Sequence, residues 1–522
     1  MRLNCRLTAT LLAFTLTAGT AFASDPLKVK TDKGKVEGTL TTDGAVRAFK
    51  GIPYAAPPVG NLRWQPPQPA AKWHDTLPTK AFGPHCIQSD SYPDMIFHDT
   101  GASEDCLTLN VWTPANAQPG SLPVMVWIYG GGFVTGGTSE ARQDGQFLAH
   151  HNVVIVSMNY RLGIFGFFAH PQLSAESPHH ASGNYGLMDQ AAAIAWVRRN
   201  ISAFGGDPAN ITIFGQSAGA ESVSALMASP VAKDLFNKAI GQSGSEFPRY
   251  DRGSLTLQQA EQANTAWATR TFGTSKLFAL RLLPAKEILG AAMSSSAPDF
   301  RPIIDGYFLP EPIEQTFAAG KQAHVPLLGG WVANEDRPNT PTTADSFTVQ
   351  AHIEFGPNAL KFLALYPATT DAEAIRSAAD SATDHSMAFP TWAWLEAQTK
   401  TGNTPIYRYF FDLPSPGDRN HPASEGAFHS DDIEYVFGAL DSRPEMQIRP
   451  EDRALSELMQ QYWTNFARTG DPNGPNLPKW PTYNAADNFQ VMHLDAHPAA
   501  APDAHRPRYL FLNSIWSVPA VR

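Results

Sequence analysis

The apolar run Ile211-Thr212-Ile213-Phe214 leads without a break into Gly215-Gln216-Ser217-Ala218-Gly219, and alanine-rich sequence of helical character follows. A strand, a tight turn and a helix in direct succession leave the chain few choices of fold. The turn is sharp enough that side chains at its flanks would collide, so glycine stands at both ends. The serine between them is held in a strained conformation with its hydroxyl exposed. Gly-x-Ser-x-Gly alone is a short pattern in a chain with 39 glycines, and it gains weight from a second element. Tyr129-Gly130-Gly131-Gly132-Phe133 follows the apolar strand Val124-Met125-Val126-Trp127-Ile128. Backbone free of side chains at that point can turn its N–H groups toward a developing oxyanion. A nucleophile and an oxyanion hole together point to acyl transfer.

Strand signals fall at Leu107–Trp112, Val124–Tyr129, Val153–Met158, Ile211–Phe214, Val325–Leu328, Ile406–Phe411 and Tyr509–Leu512. Between them Leu187–Asn200 has helical apolar spacing, and Ala218–Ala228 forms the helix after the turn. This alternation predicts an α/β fold with a mostly parallel central sheet and helices on both faces. Residues from about Arg249 to Ala297 and from Pro338 to Lys400 lack strand signals and are expected to be cap-like helical insertions over the site. No repeat or convincing linker divides the chain, so residues 24–522 are expected to form a single domain.

The first 23 residues have the pattern of a secretory signal peptide. Arg2 and Arg6 supply the charged start, Leu7 to Ala21 the apolar stretch, and Ala21-Phe22-Ala23 the cleavage site before Ser24. A secreted or periplasmic location follows. No later stretch is long and apolar enough to span a bilayer. Export leaves Cys86 and Cys106 as the only cysteines of the mature chain, and in an oxidising compartment they are expected to pair. Neither they nor the adjacent pairs His150-His151 and His179-His180 suit a metal, so no metal or cofactor is expected. The net charge of −10, without a dense Lys/Arg run, argues against nucleic acid as a partner. Oligomeric state is not legible. Asn200-Ile201-Ser202 and Asn210-Ile211-Thr212 match glycosylation sequons but abut core elements, and are read as structural.

Ser217 needs a base. His429 lies in a glycine-containing loop well after the Ile406–Phe411 strand, the late position where α/β-hydrolases carry their histidine. A third group must orient the imidazole and stabilise its cation. Glu335, just after the Val325–Leu328 strand, is the candidate, with Asp336 and Asp305 as alternatives.

The chain resembles the type-B carboxylesterases, the family that also contains cholinesterases and p-nitrobenzyl esterases. The motifs that carry the resemblance are Phe49-Lys50-Gly51-Ile52-Pro53-Tyr54-Ala55, Ser103-Glu104-Asp105-Cys106-Leu107, Trp127 to Phe133, Asn159-Tyr160-Arg161-Leu162-Gly163, Gly183-Asn184-Tyr185-Gly186-Leu187, Phe204-Gly205-Gly206-Asp207-Pro208 and the serine turn itself. It extends from about Val29 to Tyr483 and is thinner in the two cap-like regions.

The resemblance implies an α/β-hydrolase fold and a serine carboxylesterase acting on small-molecule esters through an acyl-enzyme. It implies Ser217 as nucleophile, His429 as general base and acid, Glu335 as third member, and the amides of Gly131, Gly132 and Ala218 as oxyanion hole. It further places Ser243 near the histidine, makes Arg63–Glu104 and Arg161–Asp189 structural ion pairs, and sets the Cys86–Cys106 loop at the border of the site. Three positions depart from the family. Asn334-Glu335-Asp336 stands where Asp-Glu-Gly is usual, Gln216 stands where cholinesterases have glutamate, and no tryptophan lies between Cys86 and Cys106. Choline esters would lack both a cation–π partner and a nearby anion, and are not expected as substrates. Lipase, feruloyl-type, polyester and xenobiotic esterase readings share the chemistry. A non-catalytic adhesion protein, as in inactive members of the family, is the alternative of a different class. Those members lose the serine or the histidine, and this chain has both.

Overall fold

The apolar runs assemble into one large sheet, with eleven strands among the described residues. In chain order these are β1 (Thr39–Leu40), β2 (Val46–Pro53), β3 (Thr108–Pro114), β4 (Leu122–Ile128), β5 (Val154–Met158), β6 (Gly206–Gln216), β7 (Lys238–Gln242), β8 (Leu327–Val332), β9 (Ile406–Phe411), β10 (Gln490–Leu494) and β11 (Ala499–Pro502). The computed structural model describes residues 25–92, 94–249, 253–338, 342–417 and 426–516. The expected signal peptide, residues 1–23, lies outside them.

Across the sheet the order is β11-β10-β9-β8-β7-β6-β4-β5-β3-β2-β1. Strands β4 to β10 pair in parallel except where β3 enters beside β5, and the pairs at both ends of the sheet are antiparallel. Strands β4, β5, β7 and β8 are almost wholly buried, as expected of parallel strands covered on both faces. This is the α/β-hydrolase architecture, a mostly parallel sheet flanked by helices. Helix α1 (Tyr185–Asn200) packs on β6, and α2 (Ala218–Ala228) packs on β4, β6 and β7.

The first region without strand signals contains α3 (Leu257–Phe272), α4 (Leu277–Leu282) and α5 (Ala285–Ala292). The second contains α6 (Ala344–Phe355), α7 (Ala359–Leu365) and α8 (Asp371–Thr383), then α9 (Phe389–Thr401). Helix α9 differs from the expected cap, because it packs against β8 and β9. Gly241 and Gly329 leave room on the sheet for Trp394 and Leu395 of this helix, which a Cβ at either glycine would crowd. Helix α10 (Pro450–Thr469) lies against β4 and β6.

One expected strand is a helix. Tyr509–Leu512 falls inside α11 (Arg506–Trp516). Tyr509 and Leu512, three residues apart, are buried, whereas Leu510 is 48% exposed, the periodicity of a helix face. Tyr509 packs edge-on against Trp331 of β8. Strands β7, β10 and β11 fall where the sequence carries no strand signal. The imidazoles of His150 and His151 meet Asp43 and Gln460 near the surface, and His179 stacks on Tyr307. Asn200 of the first sequon is buried, its side chain bonded to Trp196 O and to the amide of Asp32.

Candidate active site

Strand β6 ends at Gln216 and α2 begins at Ala218, so Ser217 occupies the whole turn between them. Its backbone sits at φ 56° and ψ −127°, a conformation few side-chain-bearing residues adopt. Two contacts hold it there. Its amide donates to Gln242 O at the end of β7 (2.8 Å), and its carbonyl accepts from Glu221 N one turn into α2 (2.9 Å). Gly219 lets α2 begin directly against the carbonyl of Ile128 at the end of β4, a space that a Cβ would fill.

Strand β8 delivers Glu335. Beyond it, Asn334 pairs with Phe428 in a parallel bridge and its amide donates to Ala427 O (2.8 Å), which draws the late loop onto the strand end. Glu335 and His429 therefore meet, although 94 residues separate them. Glu335 Oε2 lies 2.5 Å from His429 Nδ1, and Oε1 accepts from Val332 N at 2.9 Å. The other imidazole nitrogen, Nε2, lies 2.9 Å from Ser217 Oγ and 3.3 Å from the side-chain Nε2 of Gln216. The carboxylate side chain is fully buried, whereas the imidazole keeps 31% of its surface exposed.

The two alternatives for the acidic member lie elsewhere. Asp336 is exposed and accepts from the amide of Arg337, and Asp305 is buried but closes a turn by accepting from the amides of Tyr307 and Leu309. Burial by itself pulls the His429 imidazole down, but the charge and hydrogen bond of Glu335 outweigh it, and His429 titrates above its ordinary value.

Gly131 and Gly132 both take positive φ, at 110° and 63°, and the carbonyl of Gly131 turns away to accept from Val134 N and Thr135 N. The amides of Gly131, Gly132 and Ala218 have no acceptor among the described residues. A Cβ on Gly130 would stand 2.9 Å from Ser217 Cβ, so the glycine loop and the serine turn are in direct contact. Ser243, expected near His429, lies at the end of β7 beside the serine turn. Its amide donates to Gly330 O at 2.8 Å, its hydroxyl is buried, and no hydrogen bond links it to the imidazole. The next residue, Gly244, packs against the carbonyl of Ser217.

Three further residues, which carry no sequence signal, support the site. Thr383 of α8 accepts the amide of Glu335 at 3.1 Å. Arg142 donates to Ser430 O (2.7 Å) and to Glu434 (2.9 Å), clamping the loop just after His429. Gln88 accepts from Gly136 N and donates to Gly136 O (3.0 Å), bracing the segment after the glycine loop. No motif flags such residues, because each acts through backbone atoms of a distant segment.

Cys86 and Cys106 form a disulfide that closes the loop carrying Gln88. Arg63 pairs with both oxygens of Glu104 and Arg161 with both oxygens of Asp189, each at 2.7 Å. No helix among the described residues is long and apolar enough to cross a membrane, and no acidic, histidine or cysteine cluster among them could hold a metal.

The profile of the carboxylesterase family matches residues 25–511. A fumonisin B1 esterase of Sphingopyxis macrogoltabida is 37% identical over 89% of this chain and 86% of its own. A para-nitrobenzyl esterase of Bacillus subtilis (strain 168) is 37% identical over 90% of this chain and 94% of its own. A solved PNB esterase structure superposes with a TM-score of 0.79 at 35% identity, covering 94% of this chain and 99% of that one.

Proposed function

The chain belongs to the carboxylesterase family, a family of carboxylic ester hydrolases, and from that premise we propose that it is an exported serine esterase working through Ser217, His429 and Glu335. The observation that carries this reading is His429, whose two nitrogens reach Ser217 Oγ and Glu335 at once. In the proposed cycle His429 Nε2 takes the proton of Ser217 as Oγ attacks the ester carbonyl carbon. The carbonyl electron pair moves onto oxygen, opposite the amides of Gly131, Gly132 and Ala218. Collapse of this intermediate breaks the bond to the alcohol, which leaves with the proton held by His429. Water then gives a proton to His429 and attacks the acyl-serine, and the returning proton frees Ser217. No metal or organic cofactor enters these steps, and the substrates are small-molecule esters.

A fluorophosphonate probe is expected to label Ser217 stoichiometrically, read by mass spectrometry of the modified peptide. A folded chain that took up no label would favour the binding-protein reading.

Only the neutral imidazole can accept the serine proton. Because Glu335 raises the His429 pKa above its ordinary 6.5, activity should be low in acid and rise with pH through a midpoint above that value. The profile of kcat/KM against pH measures it. A profile flat from about pH 5 to 8 would remove histidine as the base.

The signal-like start and the disulfide support export together. Breaking the Cys86–Cys106 bridge should cost about 3 kcal/mol by the chain-entropy account. Since Gln88 sits within the closed loop, Cys86→Ser should lower the Tm and disturb KM more than kcat. A thiol titration of mature protein prepared without reductant should find none free, and two would refute the bridge.

A further inference from the structure

His429 stands on a loop rather than on a strand or a helix. It is the second residue of a four-residue turn, closed where Asp431 N donates to Phe428 O at 2.9 Å. The third residue, Ser430, takes φ 75°, at the position where such turns favour glycine. A serine keeps that conformation where surrounding contacts impose it.

Two side chains supply those contacts. Asp431 reaches back across the turn, and its carboxyl accepts from Phe428 N at 2.8 Å. Arg142 Nη2 donates to Ser430 O at 2.7 Å and to Glu434, on the short helix Ile433–Phe437, at 2.9 Å. The residue before His429 and the residue after it are thus each held by a side chain. Arg142 itself has a firm base. It belongs to the single turn Ala141–Gln143, and Gln143 bonds both to Gly137 O (2.8 Å) and to the indole of Trp127 in β4. Strand β4 runs into the glycine loop, so Arg142 ties the histidine turn to the segment that carries Gly131 and Gly132.

Resting on the esterase reading above, we propose that Asp431 and Arg142 are positioning residues that fix His429 from either side of its backbone and so keep Nε2 in reach of Ser217. Glu335 orients the ring through Nδ1, and these two residues set the backbone from which the ring projects. The distance matters because a misplacement of about 1 Å can cost on the order of 100-fold in rate. What Asp431 contributes is an acceptor, not a charge. Burial pushes its carboxyl up to about 7, so near neutrality it is uncharged much of the time, and a carbonyl oxygen is all that Phe428 N requires. The charges around Arg142 are those of Glu434, Glu140 and Asp431, and Arg443 lies 3.7 Å from Glu434.

The test compares Asp431→Ala with Asp431→Asn, using nitrophenyl acetate and counting rates per site titrated to completion with a fluorophosphonate, so that unfolded protein drops out. Asp431→Ala should lower kcat by about tenfold or more with KM little changed, the sign of a loss felt in the transition state rather than in binding. Asp431→Asn keeps a carbonyl oxygen for Phe428 N and should recover most of the rate. On the other side of the turn, Arg142→Met alone would strand the buried Glu434, so the double variant Arg142→Met with Glu434→Gln is used, and it should show the same fall in kcat at unchanged KM. The two pairs are read independently, so failure of one variant to fold leaves the other to decide. An Asp431→Ala or double variant with unchanged kcat, an Asp431→Asn variant as slow as Asp431→Ala, or losses confined to KM would each overturn the proposal. Failure of the wild-type chain both to take up the label and to turn over nitrophenyl acetate would instead sink the esterase reading beneath it.

Discussion

Ser217→Ala is expected to lower kcat by on the order of 10⁴-fold or more while the protein still folds. The loss is this large because nucleophile and base work as a unit, and His429 without the hydroxyl has nothing to activate but water. The fold should survive because the turn is held by backbone contacts, Ser217 N to Gln242 O and Glu221 N to Ser217 O, that alanine keeps. Residual rate enhancement would then report on the amides of Gly131, Gly132 and Ala218 acting alone. Steady-state kinetics with a nitrophenyl ester, set beside thermal unfolding of both proteins, make the comparison. An alanine variant that kept most of its activity would remove Ser217 from the mechanism.

Glu335→Gln should come next in size, with kcat lower by up to about 10⁴-fold. Glu335 accepts at both oxygens, from Val332 N and from His429 Nδ1. An amide can keep only one of these as an acceptor. With its carbonyl on Val332 N, its NH2 group would face Nδ1 and move the imidazole proton to Nε2, where it blocks acceptance from Ser217. The neutral side chain would also no longer stabilise the imidazolium. Asp336→Asn should do little, since that carboxylate is exposed and accepts from the amide of Arg337 rather than from His429. Reversed effects would move the acidic role one residue along the chain.

The helix Ala218–Ala228 and the strand Ile406–Phe411 were legible in the sequence to the residue, and for physical reasons. The first begins at an obligatory turn, and the second is an apolar and aromatic run, broken only by Arg408, between turn-forming residues. Lys238–Gln242 was not legible because its composition speaks against a central strand. Lys238 keeps its amine near the surface on Asn210, and Gly241 makes room for Trp394 across the sheet. Gln490–Leu494 was hidden by Gln490 and His493, while the apolar Tyr509–Leu512 run drew attention to the wrong segment. A four-residue apolar run fits a strand and a helix face equally well, and only tertiary packing on Trp331 decides between them. In the site, Ser217, Glu335 and His429 each follow a recognisable element. Gln88, Arg142 and Thr383 do not, because their work is done through contacts that span distant parts of the chain.

The margins of the sheet bear on how copies of this chain behave when crowded. A sheet edge is a row of unpaired amides and carbonyls onto which another molecule's strand can add. Here one margin is β1, two residues long, and the other is β11, four residues of which the last is Pro502. The long strands that could template such growth, from β4 to β9, each have a hydrogen-bonded neighbour on both sides. A molecule built this way can hold many hydrophobic strands at high concentration and still offer little for another copy to zip onto.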